Sequence, residues 1–573
     1  MSAKQPQPPR VVLPEVVVGA APVTIEQVAA VARGLAAVRV SHAPAFLERL
    51  RAGRAGLVRH LAAEGVVYGV TTGFGDSCET DVRGDAIADL PRNLMRFHGC
   101  GVGEPFTEEQ TAAIVLTRLA SLARGYSAVR IEVLDALARL LTERVLPVVP
   151  SQGSVGASGD LTPLSYVAAA LCGEREVRWR GRTLPAAQAL AELGLEPLSL
   201  EPKESLALMN GTSAMTGVAC LALVRAQRLA RWAAALTALT SDVLRGEPRH
   251  FDARLFAAKP HPGQALCARW IREDVELESR REVNAQRVQD RYSVRCAPHV
   301  VGVLLDVLPE ARRFVHTELN GANDNPLVDP ETGDVLHGGN FYGGHVCHAM
   351  DAVKIQVANV ADLLDRQLAL LCHPGTNHGL PANLVGAPAG EEAAHHGFKA
   401  MQITASALTA EALKATMPAS VFSRSTENHN QDKVSMGTIA ARDCVRVLEL
   451  TETVAAIHTL ACAQAVDLRE GRGCYRRSRS LHEQVRRIVP MNREDRAMDE
   501  DIHQVLDSYR SEHLDVGSWE LDFPTLDFSG LDFSGRDASG LDVRGQGFPD
   551  GGGPGGEAGE QAGERAGEEA EVS

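Results

Sequence analysis

Aromatic side chains are scarce in this sequence of 573 residues: they make up 4%, although 45% of the residues are hydrophobic. Strands favour β-branched and aromatic residues, whereas Ala and Leu favour helices, so the composition argues against an all-β fold. The hydrophobic fraction is too high for a disordered protein and sufficient for a large core. We therefore expect a mostly α-helical globular protein.

Paired cysteines are also missing. Eleven Cys are spread along the chain without any Cys-x-x-Cys pair, so neither a disulfide framework nor a zinc site is indicated. The N-terminus lacks the apolar segment of a signal peptide, and Arg228, Arg231 and Asp362 are among the charges that interrupt the most apolar stretches. We expect a soluble, cytoplasmic protein with no metal and no membrane contact.

The net charge of −15 is unevenly distributed. Residues 516–573 contain 13 acidic and 3 basic residues, a net charge of −10, so the first 515 residues carry only −5. A protein that binds nucleic acid normally displays a basic stripe. The nearly balanced body argues against nucleic acid as a partner.

Helical periodicity dominates the chain after residues 1–22, which are rich in Pro and Val and are predicted to form an N-terminal arm or edge strand. The run from Thr24 to Gln27 is typical of a capped helix start. Several later stretches are apolar around most of the helix circumference, so we expect them to pack in a central bundle that includes other subunits. The stretches with helical spacing are 106–146, 211–246, 346–372 and 438–467.

The character of the chain changes after about residue 515. Residues 516–545 include a five-residue period with Asp at one phase and an apolar residue beside it. This pattern resembles the pentapeptide repeat, which builds a square β-solenoid, but it also fits a low-complexity extension without a fixed fold. Residues 546–573, rich in Gly and Glu, cannot bury a core and are predicted to form a disordered acidic tail. Residues 23–515 remain as the main folded region.

Small residues crowd the segment from Ser151 to Tyr166, SQGSVGASGDLTPLSY. Ser158 and Asp160 are candidate caps of a helix with Pro163 in its first turn, which explains the end of the segment. Capping does not explain the density of Gly, Ala and Ser. Such residues permit a tight turn in which a backbone nitrogen approaches the carbonyl two residues before it, the geometry that autocatalytic ring closure needs.

This segment resembles the signature of the aromatic amino acid lyase family, which includes histidine, phenylalanine and tyrosine ammonia-lyases and 2,3-aminomutases. The resemblance implies that Ala157, Ser158 and Gly159 cyclise and dehydrate to 4-methylideneimidazol-5-one (MIO), an electrophile made from the backbone. The likeness extends over roughly residues 20–510. It implies a mostly helical homotetramer with a long central helix bundle of the fumarase/aspartase-like ammonia-lyase type, in which three chains contribute to each active site.

Further family motifs follow in order along the chain. The Tyr loop, YGVTTGFG at residues 68–75, makes Tyr68 the candidate base. The resemblance places six more residues at the site, namely Asn210 in ESLALMNGT, Gln289, Tyr292 and Arg295 in VQDRYSVRC, Asn325 in NDNP, and Phe341 after Asn340. Which of Asn210, Tyr292 and Phe341 tune the electrophile and which only pack beside it stays open.

The chemistry of ammonia elimination explains why such residues are needed. The β-proton of an amino acid is barely acidic and its amine leaves poorly, and an electrophile that binds the amine makes it a better leaving group. Tyr68 would remove the β-proton as a phenolate, which requires a pKa well below its usual ~10 and hence oriented donors or positive charge. Arg295 is the expected clamp for the substrate carboxylate, with a surface salt bridge as the alternative.

Two segments bear on the choice of substrate. His98 stands where histidine lyases and several tyrosine-using members have His, whereas Phe97 resembles the phenylalanine-selective members; a structural role for His98 is the alternative. Glu427 and Gln431 resemble phenylalanine and tyrosine lyases, since histidine lyases have Glu in place of Gln431. An amide is a weaker partner for imidazole than a carboxylate. We therefore rank tyrosine or phenylalanine, giving coumarate or cinnamate, ahead of histidine, giving urocanate.

Three functional hypotheses remain. The first is an aromatic amino acid ammonia-lyase. The second is a 2,3-aminomutase, which returns the amine to the β-carbon before product release and which sequence hardly separates from a lyase. The third is a scaffold whose C-terminal repeats bind a partner, and the intact set of Tyr68, Ala157–Gly159, Asn210 and Arg295 argues against it.

Overall fold

The computed structural model describes residues 13–64, 66–84, 86–275, 287–471 and 474–518. The chain divides into two units, residues 1–520 and 521–573, and the second lies outside the described residues. The predicted acidic tail, and all but the first three residues of the predicted repeat segment, therefore lie outside them too. Within the described ranges, no helix is both long enough and apolar enough to cross a membrane.

Eighteen α-helices make up most of the described residues, as the composition predicts. The first eight are α1 (Ile25–Ala32), α2 (Pro44–Glu64), α3 (Ala86–Phe97), α4 (Glu108–Leu122), α5 (Ile131–Thr142), α6 (Leu161–Leu171), α7 (Ala186–Glu192) and α8 (Glu204–Met209). The others are α9 (Ser213–Val243), α10 (Ala253–Ala257), α11 (Pro262–Asp274), α12 (Tyr292–Arg295), α13 (Ala297–Leu319), α14 (Gly344–Cys372), α15 (Lys399–Lys414), α16 (Gly437–Leu468), α17 (Arg476–Ile488) and α18 (Asp499–Arg510).

Nine short strands form four small sheets in the described residues. The strands are β1 (Glu15–Val18), β2 (Ala37–Val40), β3 (Val102–Pro105), β4 (Leu146–Pro147), β5 (Pro150–Gln152), β6 (Glu176–Trp179), β7 (Arg182–Pro185), β8 (Leu327–Val328) and β9 (Val335–Leu336). β1 pairs in parallel with β2, which agrees with the edge strand predicted in the N-terminal arm. The other pairs are antiparallel: β3 with β5, β6 with both β4 and β7, and β8 with β9.

Capping boxes begin two of the helices. Thr24 Oγ1 accepts a hydrogen bond from Gln27 N at 3.1 Å, and Gln27 Oε1 accepts one from Thr24 N at 3.0 Å, as the sequence predicts for α1. Thr107 and Gln110 repeat the arrangement at α4, with distances of 3.2 and 3.0 Å. Each box satisfies two backbone N–H groups that the helix itself leaves without a partner.

The predicted bundle is present, and a single chain completes its centre. The periodic stretch 106–146 forms α4 and α5, and the other three stretches form α9, α14 and α16. Every residue of α9 except Arg225 is buried. Because α4, α13, α14 and α16 of the same chain pack against α9, its apolar circumference does not require other subunits, contrary to the expectation from sequence.

The amino ends of α9, α14 and α16 meet at one end of the bundle. Met215 lies in the first turn of α9, and a Cβ on Gly343 or on Gly437 would lie only 2.1 or 2.3 Å from its Sδ. Gly343 directly precedes α14, and Gly437 begins α16. Since the amino end of a helix carries a positive partial charge, this end of the bundle favours negative groups.

Candidate active site

A left-handed turn precedes α6. The φ angles of Gly156, Ser158 and Gly159 are +78°, +49° and +79°. A residue other than glycine in this conformation is strained, at a cost on the order of 1–3 kcal/mol. The tight turn that the crowding of small residues predicts is therefore present, and it is centred on the predicted ring-forming residues Ala157 to Gly159.

The main chain of Gly211 lies directly against this turn. Gly211 N donates to Ser158 O at 3.2 Å, and Asp160 N donates to Gly211 O at 2.7 Å. A Cβ on Gly159 would lie 2.1 Å from Gly211 O. The approach is possible because Gly159 has no side chain, while a Cβ on Gly211 would instead meet Arg118 Nη1 and Asn323 O, both at 2.2 Å.

Asn210 is brought to the turn, as predicted, and so is Asn325. Asn210 is 2% exposed, and its Nδ2 donates to Asn325 O at 3.3 Å. Among the residues that the structure describes, no donor reaches the buried Asn210 Oδ1. A buried carbonyl oxygen without a partner is costly, so this atom is available to a group that binds or forms beside the turn.

Asp160 joins the turn to two helices. It lies at the N-cap position of α6, but its side chain does not cap that helix, and the predicted capping role is wrong. Its carboxylate accepts from Met215 N at 2.8 Å, from Ser154 Oγ at 3.2 Å and from the hydroxyl of Thr438. Burial raises the pKa of Asp160 to about 6, although these hydrogen bonds act in the opposite direction. The first turns of α9 and α16 are thereby attached to the ring-forming segment.

The loop that carries Tyr68 packs against α8, the helix that directly precedes Asn210. Half-buried Tyr68 accepts a hydrogen bond at its hydroxyl from Gly75 N at 2.7 Å. A Cβ on Gly69 would lie 2.7 Å from Leu206 Cδ2. Since Leu206 is one helical turn before Asn210, the loop packs against the helix that leads to the turn.

The pKa of Tyr68 is raised, not lowered as the sequence-based argument requires. Burial is the main cause, the Glu427 and Cys78 side chains add to it through space, and the Gly75 N–H acts in the opposite direction. Glu427 approaches because its Oε1 accepts from Asp76 N at 3.0 Å. A single chain thus supplies the oriented donor that the phenolate needs, but places a carboxylate where positive charge is expected.

Phe97 ends α3 and His98 directly follows it, beside α6. Their rings lie 4.3 Å apart between centroids, and Phe97 is 57% exposed. Nearby, Gly101 N donates to the hydroxyl of Tyr166, within α6, at 3.1 Å. Burial lowers the pKa of His98 to about 4, so its imidazole is neutral at pH 7 and can both donate and accept.

The segment with Glu427 and Gln431 is a strained loop. Glu427, Asn428 and His429 have φ angles of +52°, +51° and +66°. Gln431 Oε1 accepts from Thr426 Oγ1 at 2.9 Å. The loop reaches the turn at its far end, where Met436 N donates to Val155 O at 3.0 Å.

Gln289, Tyr292 and Arg295 are not brought to the turn of their own chain. Gln367 Nε2 donates to both Ser293 O, at 2.8 Å, and Thr237 Oγ1, at 2.9 Å. Thr237 lies in the second half of α9, on the order of 30 Å along the helix from its first turn. The predicted carboxylate clamp is therefore at the opposite end of the bundle.

The far-end side chains face outward. Tyr292 is 72% exposed, and Gln289 is exposed as well. Arg295 donates through Nε to Asp290 O at 3.0 Å, and its guanidinium lies 4.7 Å from the Tyr292 ring centroid. By contrast, half-buried Phe341 precedes Gly343 and so lies at the same end as the turn.

Sequence reasoning missed a polar layer, only part of it fully buried, that contacts Asn210 and Thr212. Arg118, in α4, is fully buried, and Glu318, in α13, accepts from Thr212 Oγ1 at 2.6 Å. Burial raises the pKa of Glu318 to about 7. A signal for Arg118 was available, since it is the one charged residue in the apolar run AAIVLTRLASL at 112–122.

The family model for aromatic amino acid lyases matches residues 23–487. The chain belongs to the aromatic amino acid lyase family. This lyase is 41% identical over 493 residues to a histidine ammonia-lyase of Gloeobacter violaceus, covering 86% of this chain and 95% of the relative. It is 40% identical over 462 residues to that of Geobacillus thermodenitrificans, covering 80% and 90%. A crystal structure of tyrosine aminomutase from Streptomyces globisporus superposes with a TM-score of 0.80 at 38% identity, covering 88% and 98%.

The protein is accordingly a carbon–nitrogen lyase, and its mostly helical fold matches those of ammonia-lyases and aminomutases. Membership of the family implies the MIO cofactor that is typical of these lyases. The residues present fit that group: the turn at Ser158 and Gly159 is left-handed, Gly211 lies against it, and the neighbouring Asn210 has a buried side-chain oxygen without a partner among the described residues.

Proposed function

We propose that this lyase eliminates ammonia from L-histidine to give urocanate, using an electrophile formed from Ala157, Ser158 and Gly159. The left-handed turn against Gly211 is the observation that supports ring formation. The relatives support the substrate, since the two described above, 40–41% identical, are both histidine ammonia-lyases. They favour histidine over the tyrosine or phenylalanine that the sequence motifs rank first.

The residues near the turn have distinct proposed roles. MIO supplies an electrophile for the substrate amine, which becomes a better leaving group. Tyr68 takes the β-proton at its phenolic oxygen, which Gly75 N orients at 2.7 Å. The Cα–N and Cβ–H bonds break, a Cα=Cβ double bond forms, and ammonia leaves. The neutral imidazole of His98 pairs with the substrate imidazole, one ring donating and the other accepting.

We also propose that the lyase is a homotetramer whose sites are completed by neighbouring chains. Arg295 lies too far from the turn of its own chain to bind a substrate there, so a neighbouring chain's Arg295 would hold the carboxylate bidentately. Ile403, Met417 and Val421 are 65%, 62% and 69% exposed and supply apolar surface for association. Exposed apolar side chains of this kind would be covered in such an assembly.

Tyrosine is the second candidate substrate. Gln431 carries an amide at the position where histidine lyases have the carboxylate of Glu. The likeness to tyrosine aminomutase, at 38% identity over 88% of this chain, is in agreement. The same residues would then give coumarate, or a β-amino acid if the amine returns before the product leaves.

The deciding experiment is an ultraviolet scan of the purified protein with L-histidine, L-tyrosine and L-phenylalanine in separate reactions, combined with β-amino acid analysis. We expect a urocanate band that is absent in Ser158→Ala. The matched control is Ser165→Ala, which removes a hydroxyl that bonds to Thr162 O within α6. Coumarate or a β-amino acid formed from tyrosine would replace histidine elimination by the second candidate, and cinnamate would identify phenylalanine as the substrate instead. No product from an assembled tetramer would contradict the lyase proposal.

We propose that residues 23–515 contain the whole catalytic region, since the family match ends at residue 487 and α18 ends at Arg510. Val516 is 4% exposed and Asp515 pairs with Arg477 at 3.2 Å, so a truncation is best placed after Ser518. Turnover should survive this truncation. Its loss from a tetrameric protein would show that the C-terminal segment takes part.

A further inference from the structure

One buried side chain holds the connection between α8 and α9 against the ring-forming turn. Arg118 Nη1 donates to Asn210 O at 2.7 Å. Its Nη1 and Nη2 also donate to Asn323 O, at 3.3 and 3.2 Å, and Nη2 donates to Ser121 Oγ at 3.1 Å. A Cβ on Gly211 would lie 2.2 Å from Arg118 Nη1. The guanidinium thus contacts Asn210, and the next residue, Gly211, is hydrogen-bonded to the ring-forming turn.

The surroundings of Arg118 are costly for a positive charge. Arg118 is fully buried, and its hydrogen-bond partners are neutral carbonyl and hydroxyl oxygens. Burial lowers its pKa to about 10, and Asp324 and Asp160 oppose this only through space. A buried guanidinium without a carboxylate in contact is destabilising compared with an apolar residue. Packing alone therefore does not account for an arginine here.

The other end of the connection is held by the same polar layer. Thr212 Oγ1 donates to Glu318 Oε1 at 2.6 Å. Asn323 Nδ2 donates to Thr212 Oγ1 and to Glu318 O, both at 2.9 Å. Arg118 supports the connection directly at the carbonyl of Asn210. It also binds the carbonyl of Asn323, whose side chain donates to Thr212, so it supports the connection at Thr212 through Asn323.

Ring closure makes demands that this connection can meet. Gly159 N must attack the carbonyl carbon of Ala157, so that a C–N bond forms and the carbonyl oxygen leaves as water. Ser158 then loses its hydroxyl together with its Cα hydrogen as a second water. Gly211 bonds to the residues on both sides of Gly159, to Ser158 O and to Asp160 N. The position of Gly211 therefore constrains the attacking nitrogen.

We propose that Arg118 is a positioning residue for formation of the electrophile, because it fixes the Asn210–Thr212 connection against the Ala157–Gly159 turn. This inference rests on the proposed origin of the electrophile. Arg118 acts through the backbone of Asn210 and Gly211 and does not itself touch substrate.

The test compares intact masses of the full-length protein, since complete conversion removes two waters. Wild type should be converted, whereas Arg118→Met should remain mostly at the precursor mass with kcat lower by about a hundredfold. Arg118→Lys should fall between them. The matched control is Arg144→Met, because Arg144 also donates to backbone carbonyls, Val31 O and Ala32 O at 3.2 and 3.0 Å, away from the turn.

The outcomes distinguish the positioning role of Arg118 from the origin of the electrophile. Partly converted Arg118→Lys with a melting temperature equal to that of converted Arg144→Met would support positioning over general destabilisation. Full conversion and a wild-type kcat in a folded Arg118 variant would overturn the inference and leave the lyase proposal intact. If Arg118→Met does not fold, Arg118→Lys and Thr212→Val decide by the same measurement. Wild type found at the precursor mass would overturn the proposed electrophile itself, and this inference with it.

Discussion

The two ends of the helix bundle hold the predicted site residues in different ways. Where α9, α14 and α16 begin, main-chain hydrogen bonds from Gly211 and Met436 fix the turn, and Asn210 is 2% exposed. At the other end Tyr292 is 72% exposed, and Arg295 donates to the carbonyl of Asp290, five residues before it. One end is enclosed by its own chain, whereas the other presents side chains to the outside.

This difference separates two kinds of chemistry. Ring closure joins atoms of a single chain and needs the rigid, buried surroundings that the same chain supplies. Binding of a substrate carboxylate needs only a guanidinium presented at the right place, and another subunit can provide it. This difference is consistent with the proposed assembly, in which each chain would make its own electrophile and contribute its Arg295 to the site of a neighbour.

Mixing variants tests this division most strongly. Ser158→Ala and Arg295→Met should each reduce kcat/KM by at least about a hundredfold, since one lacks the electrophile and the other the clamp. Co-expressed in equal amounts, they should regain up to about a quarter of wild-type activity, because some sites combine an intact turn and an intact Arg295. Turnover by purified mixed oligomers is the measurement.

The control for this experiment is a mixture of Ser158→Ala with Asn210→Ala. Both residues lie at the turn of one chain, so no site in the mixture has both intact, and no recovery is expected. Recovery in the control, or none with Arg295→Met, would contradict the assignment of the two ends to different chains.

Adding one methyl group to the turn should also have a large effect. In Gly159→Ala the new Cβ would lie 2.1 Å from Gly211 O, so we expect failure of ring closure and a lower melting temperature. Gly194→Ala is the matched control, because Gly194 has a φ of +68° and open space around it. The control should cost only about 1–2 kcal/mol, the strain of a left-handed residue. Intact mass and denaturant unfolding measure the two effects, and a fully converted Gly159→Ala protein would refute the close contact.

The electrostatics of the Tyr68 loop predict a smaller change. Glu427→Gln removes a negative charge that helps to raise the pKa of Tyr68. If the phenolate is the active form, activity rises with pH through this pKa. The rising limb of kcat/KM against pH should then move to lower pH by about half a unit. Exposed Glu331→Gln is the control, and an unmoved or oppositely moved limb in Glu427→Gln would argue against Tyr68 as the base.

The last expected effect concerns stability rather than turnover. Burial raises the pKa of Glu318 to about 7, above its value in the unfolded chain, so the folded state loses stability as pH rises through this range. Glu318→Gln keeps an oxygen for Thr212 but cannot ionise. Between pH 5 and pH 8, wild type should lose on the order of 1–3 kcal/mol more unfolding free energy than the variant. Equal losses would show that Glu318 is not buried in its neutral form.

Local sequence was sufficient for the helices and for the turn. Apolar periodicity predicts α9, α14 and α16 within a few residues, because each buries most of its circumference. The density of Gly, Ala and Ser predicts the tight turn, because Gly adopts positive φ angles without a steric cost and small side chains allow close approach of the backbone. The capping box at Thr24 is equally local, since donor and acceptor are three residues apart.

The remaining features depend on distant parts of the chain. Asp160 is next to α6 in sequence, but its carboxylate bonds to α9 and α16, which only the tertiary fold brings near. The raised pKa of Tyr68 depends mainly on burial and in addition on Glu427, from a loop more than half the chain away. The separation of Arg295 from the turn follows from the length of α9, which motif order along the sequence does not reveal.

The contact between Gly159 and Gly211 has a consequence for redesign of this enzyme. Neither Gly159 nor Gly211 has room for a methyl group, so larger residues at these two positions cannot be used to reshape the site beside the electrophile. The proposed substrate-contacting residues are the better positions for a change of substrate, since Phe97 is largely exposed and Gln431 is half-buried in a strained loop. A library of variants aimed at new substrates should therefore keep Gly159 and Gly211 unchanged. It is best confined to positions such as Phe97 and Gln431.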